Sequence, residues 1–192
     1  MRISRSDGVD LITGEGLDAE LSGVDAVVDA ISAPPMGADE TREYFATTTT
    51  NLLAAEQRAG VGHHVLLSIV GIHRQEARTA HHLGKVAQEH LIEAGPIPWT
   101  IVPATQFHDY AAMVAGWTEQ DGVALIPPLL VQPIAPDDIA AVLAEIAVGA
   151  PQGRYVDVAG PETQDLVDMA RRTHAVRGTS VTLVPTWEGP QG

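Results

Sequence analysis

Short apolar runs alternate along this chain with longer segments of helical composition. Runs rich in valine and isoleucine predict strands at residues 9–12, 25–31, 65–70, 99–102 and 154–158. Helical composition predicts helices at residues 39–59, 80–94, 136–148 and 163–176. A run such as VLLSIV is apolar on both faces, which is typical of a parallel strand covered by helices. The pattern therefore predicts an α/β fold with a mostly parallel sheet.

Composition narrows the class of protein. With 192 residues and 45% hydrophobic content the chain can bury a core, and we expect one domain. Its 25 acidic and 11 basic residues give a net charge of -14, which disfavours direct nucleic-acid binding. Without cysteine, disulfides and thiolate chemistry are excluded. No signal peptide or membrane-length apolar run is visible, so we expect a cytoplasmic protein that does not bind membranes.

The histidines do not predict a metal site. His63 and His64 are neighbours in a predicted strand and face opposite sides, whereas His81 and His82 lie about 100° apart around a predicted helix. The sequence contains no HExxH motif and no cysteine-histidine cluster. We expect no bound metal.

A glycine motif near the amino terminus has two interpretations. Gly14, Gly16 and Ala19 match the dinucleotide fingerprint G-x-G-x-x-G/A. However, Glu15 would place a carboxylate among amides meant for a pyrophosphate, and the helix that follows, at about residues 17–22, is short for a crossover. We therefore favour a simple turn between a strand and a short helix.

Four segments carry a family resemblance: GVDAVVDAIS, NLLAAEQRAGVGHHVLLSIVGI, KVAQEHLIEAGPIPWTIVPATQF and QPIAPDDIAAVLAEIA. They resemble the NmrA-like, NAD(P)H-binding group of atypical short-chain dehydrogenase/reductases. The resemblance implies a Rossmann-like, doubly wound sheet in a single domain over residues 1–192, with a small substrate region from about residue 104. It also implies NADP or NAD as cofactor and a small-molecule substrate, and it is compatible with a homo-oligomer.

The resemblance also implies that the first strand and helix, which carry the glycine-rich phosphate loop, are missing. Met1 aligns within the second strand of the family. In the strand order 3-2-1-4-5-6 the first strand is central, so its loss would leave the strands at residues 9–12 and 25–31 with unpaired inner edges. Two explanations are consistent with this alignment: a shortened gene product, or a sheet that has rearranged to close the gap.

Loops after the strands are the implied cofactor contacts, because parallel sheets bind ligands beyond the carboxyl ends of their strands. An arginine after the second strand would meet the 2′-phosphate of NADP, with a mobile chain end as the alternative. The implied cofactor-binding residues are Ser4, Arg5, Ser6, Ala30, Ile31, Ser32, Lys85, Ala104 and Thr105. Gln106 and Phe107 are implied as substrate-pocket walls, although Phe107 also suits a core. Pro103 replaces the arginine that is usual in this family.

The candidate catalytic residues are Ser68, His81 and Lys85. Active members of the family combine a serine with a tyrosine four residues before a lysine, and here His81 takes the tyrosine position. His81 and Lys85 share one face of a predicted helix. A neighbouring ammonium disfavours the protonated imidazole, so His81 would be a weak acid at neutral pH. Ser68 is equally consistent with a buried serine that bonds to the backbone.

Two classes of function follow. The first is an NAD(P)H-dependent oxidoreductase acting on a small carbonyl or quinone-like substrate. The second is a dinucleotide-binding or redox-sensing protein without turnover, which the histidine in place of tyrosine favours. An inactive truncated fragment is a third possibility that the missing glycine loop keeps open.

Overall fold

The computed structural model describes residues 5–74 and 79–187 of the chain. The chain divides into two compact units, residues 1–103 with 141–157 and residues 104–140 with 158–192. The elements in chain order are a 3-10 turn at Arg5–Asp7, α1 Leu17–Glu20, β1 Ala26–Asp29, α2 Ala38–Ala59, β2 His63–Ile69, α3 Ala80–Ala94, β3 Trp99–Ala104, α4 Tyr110–Thr118, β4 Val123–Ile126, β5 Leu130–Val131, α5 Pro136–Ala147, β6 Gly153–Arg154, β7 Gln164–Asp165, α6 Leu166–Arg177 and β8 Thr182–Pro185.

A four-stranded sheet in the order β1-β2-β3-β6 forms the centre of the first unit. β1 pairs with β2 in parallel, and β3 pairs with β6 in parallel. Before β2, Gly60 ends α2 in the left-handed conformation (φ 76°) that glycine adopts at little cost. The predicted α/β class with a mostly parallel sheet is confirmed.

Helices α2 and α3 pack against each other in the first unit. The ring of Phe45 on α2 is fully buried and lies directly against Gly84 on α3. A Cβ atom at Gly84 would overlap this ring, so the absence of a side chain permits the close approach of the two helices. This contact brings the buried faces of α2 and α3 together above the sheet.

The predicted strand at residues 9–12 is not formed. Asp10 makes one isolated bridge to Glu15, and its carboxylate accepts a hydrogen bond from the Ile12 amide at 2.7 Å. The carbonyls of Leu11 and Ile12 accept from the side-chain amide of Asn51 on α2 at 3.0 and 2.8 Å. Because these bonds satisfy the backbone, the segment forms a turn, and in the described residues the sheet begins at β1.

The second unit has two small sheets and a separate apolar core. β4 pairs with β8 in parallel, and β5 pairs with β7 in antiparallel orientation. The core joins α4, α6 and the adjacent strands, and its buried members are Ala111, Val114, Ile126, Val131, Leu166, Val167, Met169 and Ala170. Of the helices in the described part of the chain, none combines the length and apolarity that crossing a bilayer requires.

Candidate functional site

A row of buried polar side chains crosses the first unit from α2 to α3. We call the five residues the inner network: Glu56, His64, Asp29, Gln88 and Lys85. The carboxylate of Glu56 lies 2.9 Å from His64 Nδ1, and His64 Nε2 lies 3.9 Å from Asp29 Oδ2. Asp29 Oδ2 accepts from Gln88 Nε2 at 2.8 Å, and Gln88 Oε1 accepts from Lys85 Nζ at 2.8 Å. Carboxylates therefore alternate with basic groups along the row, and the neutral amide of Gln88 bridges Asp29 and Lys85, which gives each buried ionisable group a partner.

His64 lies between two carboxylates at one end of the inner network. Burial opposes its protonation, but the hydrogen bond that His64 donates to Glu56 and the charges of Glu56 and Asp29 outweigh burial and raise the pKa of the imidazole. All three side chains are buried. Carboxylates on both sides thus favour protonation of His64, while burial raises the pKa of Glu56, so the two side chains compete for one proton.

Lys85 is held at the other end. Its Nζ donates to the carbonyl of Leu67 at 2.9 Å as well as to Gln88, and it lies 5.3 Å from the centroid of the Phe45 ring. Burial lowers the pKa of Lys85 to about 8, although the carboxylates of Asp29 and Glu89 raise it in part. Because an ammonium has three donors, these two hydrogen bonds, the ones it makes within the described residues, leave one N–H for a ligand.

His81 sits one turn before Lys85 on α3, and its ring meets the edge of Phe45 with 5.6 Å between centroids. Burial, followed by the charges of Lys85 and His82, lowers the pKa of His81 to about 4. The ring is therefore neutral at neutral pH. A neutral imidazole can accept a proton but is a poor donor.

Ser68 lies with a second group of charges that we call the Glu89 cluster: Ser68, His73, Glu89, Glu93 and Arg154. The Ser68 hydroxyl donates to the carboxylate of Glu89, which also lies 2.5 Å from His73 Nε2 and 2.7 Å from an Arg154 nitrogen. Burial opposes ionisation of Glu89, but the bonds from Arg154, Ser68 and His73 hold its pKa below the ordinary value. The structure therefore brings Lys85 and His81 together on α3, while the Ser68 proton is engaged by a carboxylate.

The loop after β1 is fixed by the last residue of that strand. Asp29 Oδ1 accepts a hydrogen bond from the Ile31 amide at 3.0 Å, which shapes the predicted cofactor residues Ala30, Ile31 and Ser32. Ser32 lines a cavity of about 410 Å³. The remaining lining residues are Val9, Leu11, Ile12, Ala33, Pro34 and Tyr44.

Four predicted site residues lie at the end of β3 and directly after it, in the second unit. Ala104 is buried and bridges to Val158, and the Thr105 hydroxyl donates to the Gln132 carbonyl at 2.6 Å. The Gln106 carbonyl accepts from Ile134, and Phe107 bridges to the same residue. Backbone pairing therefore accounts for the path of this segment, while the ligand roles of Ala104, Thr105, Gln106 and Phe107 stay predictions.

The predicted phosphate contact falls at the start of the described chain. Ser4 lies outside the described residues, and Arg5 and Ser6 belong to the turn Arg5–Asp7. Their role in binding a 2′-phosphate stays a prediction. The glycine motif forms turns instead of a cradle: Gly16 has a φ of 80° and precedes the four-residue helix α1, and a Cβ there would lie 2.7 Å from the Gly8 carbonyl oxygen.

Comparison with known proteins shows the family to which this chain belongs. The sequence profile of a family described as NAD(P)H-binding matches residues 5–148. The chain belongs to this NAD(P)H-binding family. The resemblance predicted from the four sequence segments is confirmed, and so is the Rossmann-like class of the sheet.

Similar proteins include several reductases. A (4-alkanoyl-5-oxo-2,5-dihydrofuran-3-yl)methyl phosphate reductase from Streptomyces griseus is 30% identical over 166 residues, and the alignment covers 82% of this chain and 55% of that protein. The triphenylmethane reductase of Citrobacter, solved with NADP(H), is 19% identical with a TM-score of 0.66 over 95% of this chain and 65% of that one. An NADPH-dependent quinone oxidoreductase of Escherichia coli has a TM-score of 0.68 and 19% identity over 93% of this chain and 61% of its own. The chain thus spans little more than half of the Streptomyces protein.

The described residues of this family member fit part of a dinucleotide. The cavity beside Ser32 is lined mainly by apolar side chains, which suits a planar base, and Lys85 retains a donor for a hydroxyl. A pyrophosphate is usually bound by a glycine-rich loop that opens a full-length helix. In the described part of the chain, the one match to that motif opens α1, which has four residues, so it does not supply this part of the site.

Several polar residues of the inner network and the Glu89 cluster were missed by sequence reasoning. Lys85, Gln88 and Glu89 have the i, i+3, i+4 spacing that places side chains on one helix face, and this spacing was an available signal. Asp29 could be found as a carboxylate that ends an apolar strand. The partners of Glu56 and Arg154 depend on tertiary contacts and have no local signature.

Proposed function

We propose that this protein is an NAD(P)H-dependent oxidoreductase that reduces a small carbonyl or quinone-like substrate. Membership of the NAD(P)H-binding family supports nucleotide binding. Three of the similar proteins are reductases or oxidoreductases by name, and two of these names specify NADP(H) or NADPH, whereas other similar structures name NAD; NADP is therefore the proposed cofactor and NAD the alternative. The observation that carries the proposal is Lys85, a buried ammonium with a spare donor near the carboxyl end of a parallel strand.

Each part of the chain would contribute one step of recognition. The apolar cavity beside Ser32 would hold the adenine, and Arg5 would bind the 2′-phosphate of NADP. Lys85 would donate its remaining N–H to a ribose hydroxyl. When bound, the reduced nicotinamide supplies a hydride. Gln106 and Phe107 are the proposed substrate contacts.

The charge state of the site favours substrates that need no strong protein acid. His81 is neutral at pH values above its pKa of about 4, and the Ser68 hydroxyl donates its proton to a hydrogen bond with Glu89. Lys85 is protonated at neutral pH because its pKa is about 8, so its ammonium can stabilise negative charge on an acceptor oxygen. A quinone-like acceptor delocalises that charge and can take its proton from water. The site therefore suits quinone-like acceptors better than isolated ketones.

Binding is tested before turnover. Calorimetric titration of the folded protein with NADPH and NADH should show binding, with NADPH preferred and the preference reduced in Arg5→Ala. NADPH oxidation is then followed with a panel of quinones, conjugated enones and simple ketones. Lys85→Met should reduce kcat/KM by about 100-fold and His81→Ala by less than about 10-fold. Failure of the folded wild-type protein to bind either nucleotide would overturn the proposal.

A dinucleotide-binding protein without turnover is the second candidate. It is favoured by the engagement of Ser68 with Glu89 and by the depressed pKa of His81. NADPH binding with no oxidation across the whole panel would select this function over the first.

A further inference from the structure

Asp29 connects two parts of the molecule that the proposed function assigns to the cofactor. Its carboxylate is 2% exposed and lies at the carboxyl end of β1. Oδ1 accepts from the Ile31 amide at 3.0 Å, and Oδ2 accepts from Gln88 Nε2 at 2.8 Å. One buried side chain therefore fixes the loop after β1 with one oxygen and reaches helix α3 with the other.

Gln88 transmits the position of Asp29 to Lys85. It is fully buried, and its amide donates to Asp29 while its carbonyl oxygen accepts from Lys85 Nζ at 2.8 Å. An amide has a donor end and an acceptor end, so it can bridge a carboxylate and an ammonium that do not touch. The orientation of the Lys85 ammonium is thus set by this bridge and by the Leu67 carbonyl.

The charge of Asp29 is balanced from two directions. His64 Nε2 approaches Oδ2 to 3.9 Å, and Glu56 holds the opposite ring nitrogen at 2.9 Å. Lys85 supplies the second positive charge through Gln88. Burying a carboxylate costs desolvation free energy that apolar residues of the same volume would not cost. The fixed positions that Asp29 gives to its partners are therefore the property to test.

We propose that Asp29 is a positioning residue that sets both the Lys85 ammonium, through Gln88, and the loop at residues 30–32, through the Ile31 amide. Its functional consequence rests on the proposed nucleotide binding. Loss of the carboxylate charge would free the ammonium from its electrostatic partner, and loss of the acceptor at Oδ1 would release the loop.

The chain offers an unusually direct test, because Lys85 is the only lysine among its 192 residues. Protein labelled with ¹³C at lysine Cε gives one side-chain signal whose shift follows titration of that ammonium. Asp29→Asn should move the Lys85 midpoint down by about one pH unit, because the carboxylate stabilises the ammonium. Gln88→Met, which keeps the carboxylate, should also move the midpoint or broaden the signal. Asp39→Asn, at an exposed carboxylate on α2, should leave the titration unchanged.

Hydrogen exchange of the Ile31 amide reports on the loop at residues 30–32. Asp29→Ala removes the acceptor of the Ile31 amide and should raise its hydrogen-exchange rate by about 10-fold or more, whereas Asp29→Asn retains an oxygen and should raise it less. Circular dichroism of each variant shows whether it is folded, and Gln88→Met provides the lysine readout if the Asp29 variants do not fold. NADPH affinity should fall about 10-fold in Asp29→Asn and remain at the wild-type value in Asp39→Asn.

An unchanged Lys85 midpoint in folded Asp29→Asn and Gln88→Met would overturn the positioning role, whatever nucleotide the protein binds. Absence of nucleotide binding by the wild-type protein would instead refute the proposed function, because the lysine titration and the Ile31 exchange rate are measured without any ligand.

Discussion

The interiors of the two units differ in their chemistry. In the first unit, the buried side chains include three carboxylates, two imidazoles and an ammonium: Asp29, Glu56, Glu89, His63, His64 and Lys85. In the second unit, the buried cluster is formed by aliphatic side chains and a methionine. Apolar burial stabilises roughly in proportion to area and without regard to pH, whereas buried charges contribute little net stability but impose geometry. The polar interior of the first unit is therefore the part of the molecule in which fixed side-chain geometry can serve binding or catalysis.

The largest effect is expected from the apolar interior. Leu166→Ala, at a fully buried residue of the second unit, should lower the free energy of unfolding by about 3 kcal/mol, because it removes apolar contacts and leaves a cavity. The loss should be the same at neutral and alkaline pH. Val176→Ala on the same helix, at a residue that is 89% exposed, is the control and should change stability by less than about 0.5 kcal/mol. Denaturant titration of both variants measures the difference, and a strongly pH-dependent loss would contradict the contrast.

The polar interior should make stability depend on pH. Folded Lys85 loses its proton near pH 8, while an unfolded lysine keeps it to about 10.5. Between these values the unfolded state binds more protons, so the free energy of unfolding should rise with pH, by about 3 kcal/mol in total.

Lys85→Met removes this titration and is the matched comparison. The difference between the wild-type protein and Lys85→Met isolates the lysine, because other groups that titrate in this range are common to both. Denaturant melts at several alkaline pH values provide the measurement. Parallel stability curves for the two proteins would show that burial does not penalise the ammonium.

Alanine substitutions at one glycine in each unit compare how tightly the two helices are packed. Gly84→Ala should destabilise the first unit by about 2 kcal/mol, since the new methyl group would overlap the Phe45 ring. Gly116→Ala, within helix α4 of the second unit, meets no neighbour within 4 Å and should stabilise it by about 0.5 kcal/mol. Thermal melts of the two variants should shift in opposite directions; equal shifts would remove the distinction.

The elements of the first unit were predictable because they depend on local patterns. The apolar run of β2 and the glycine after α2 mark a strand and a helix end without reference to the rest of the chain. The prediction of a strand at residues 9–12 was wrong because the turn that forms there depends on Asn51, which lies about 40 residues away. A strand pattern alone does not show which partner satisfies its backbone.

The candidate site was predictable only in part, for a related reason. The spacing of His81 and Lys85 on one helix face followed from helix geometry, and the direction of the His81 pKa shift followed from the neighbouring ammonium, although burial is its larger cause in the structure. The partner of Ser68 did not, because Glu89 is 21 residues away on another element. Likewise, the link from Asp29 on β1 to Lys85 passes through Gln88 on α3, and no local property of these two segments indicates the contact between Asp29 and Gln88.

The alternation of charge in the inner network constrains how these positions can change in evolution. Replacing Glu56 alone leaves His64 without its hydrogen-bonded carboxylate, and replacing His64 alone leaves two carboxylates without a cation between them. Substitutions at contacting charged sites are therefore not additive, and a change at one position should cost less when its neighbour changes with it. Paired replacements are thus expected at these residues, whereas volume-conserving exchanges at the aliphatic positions of the second unit can be made singly.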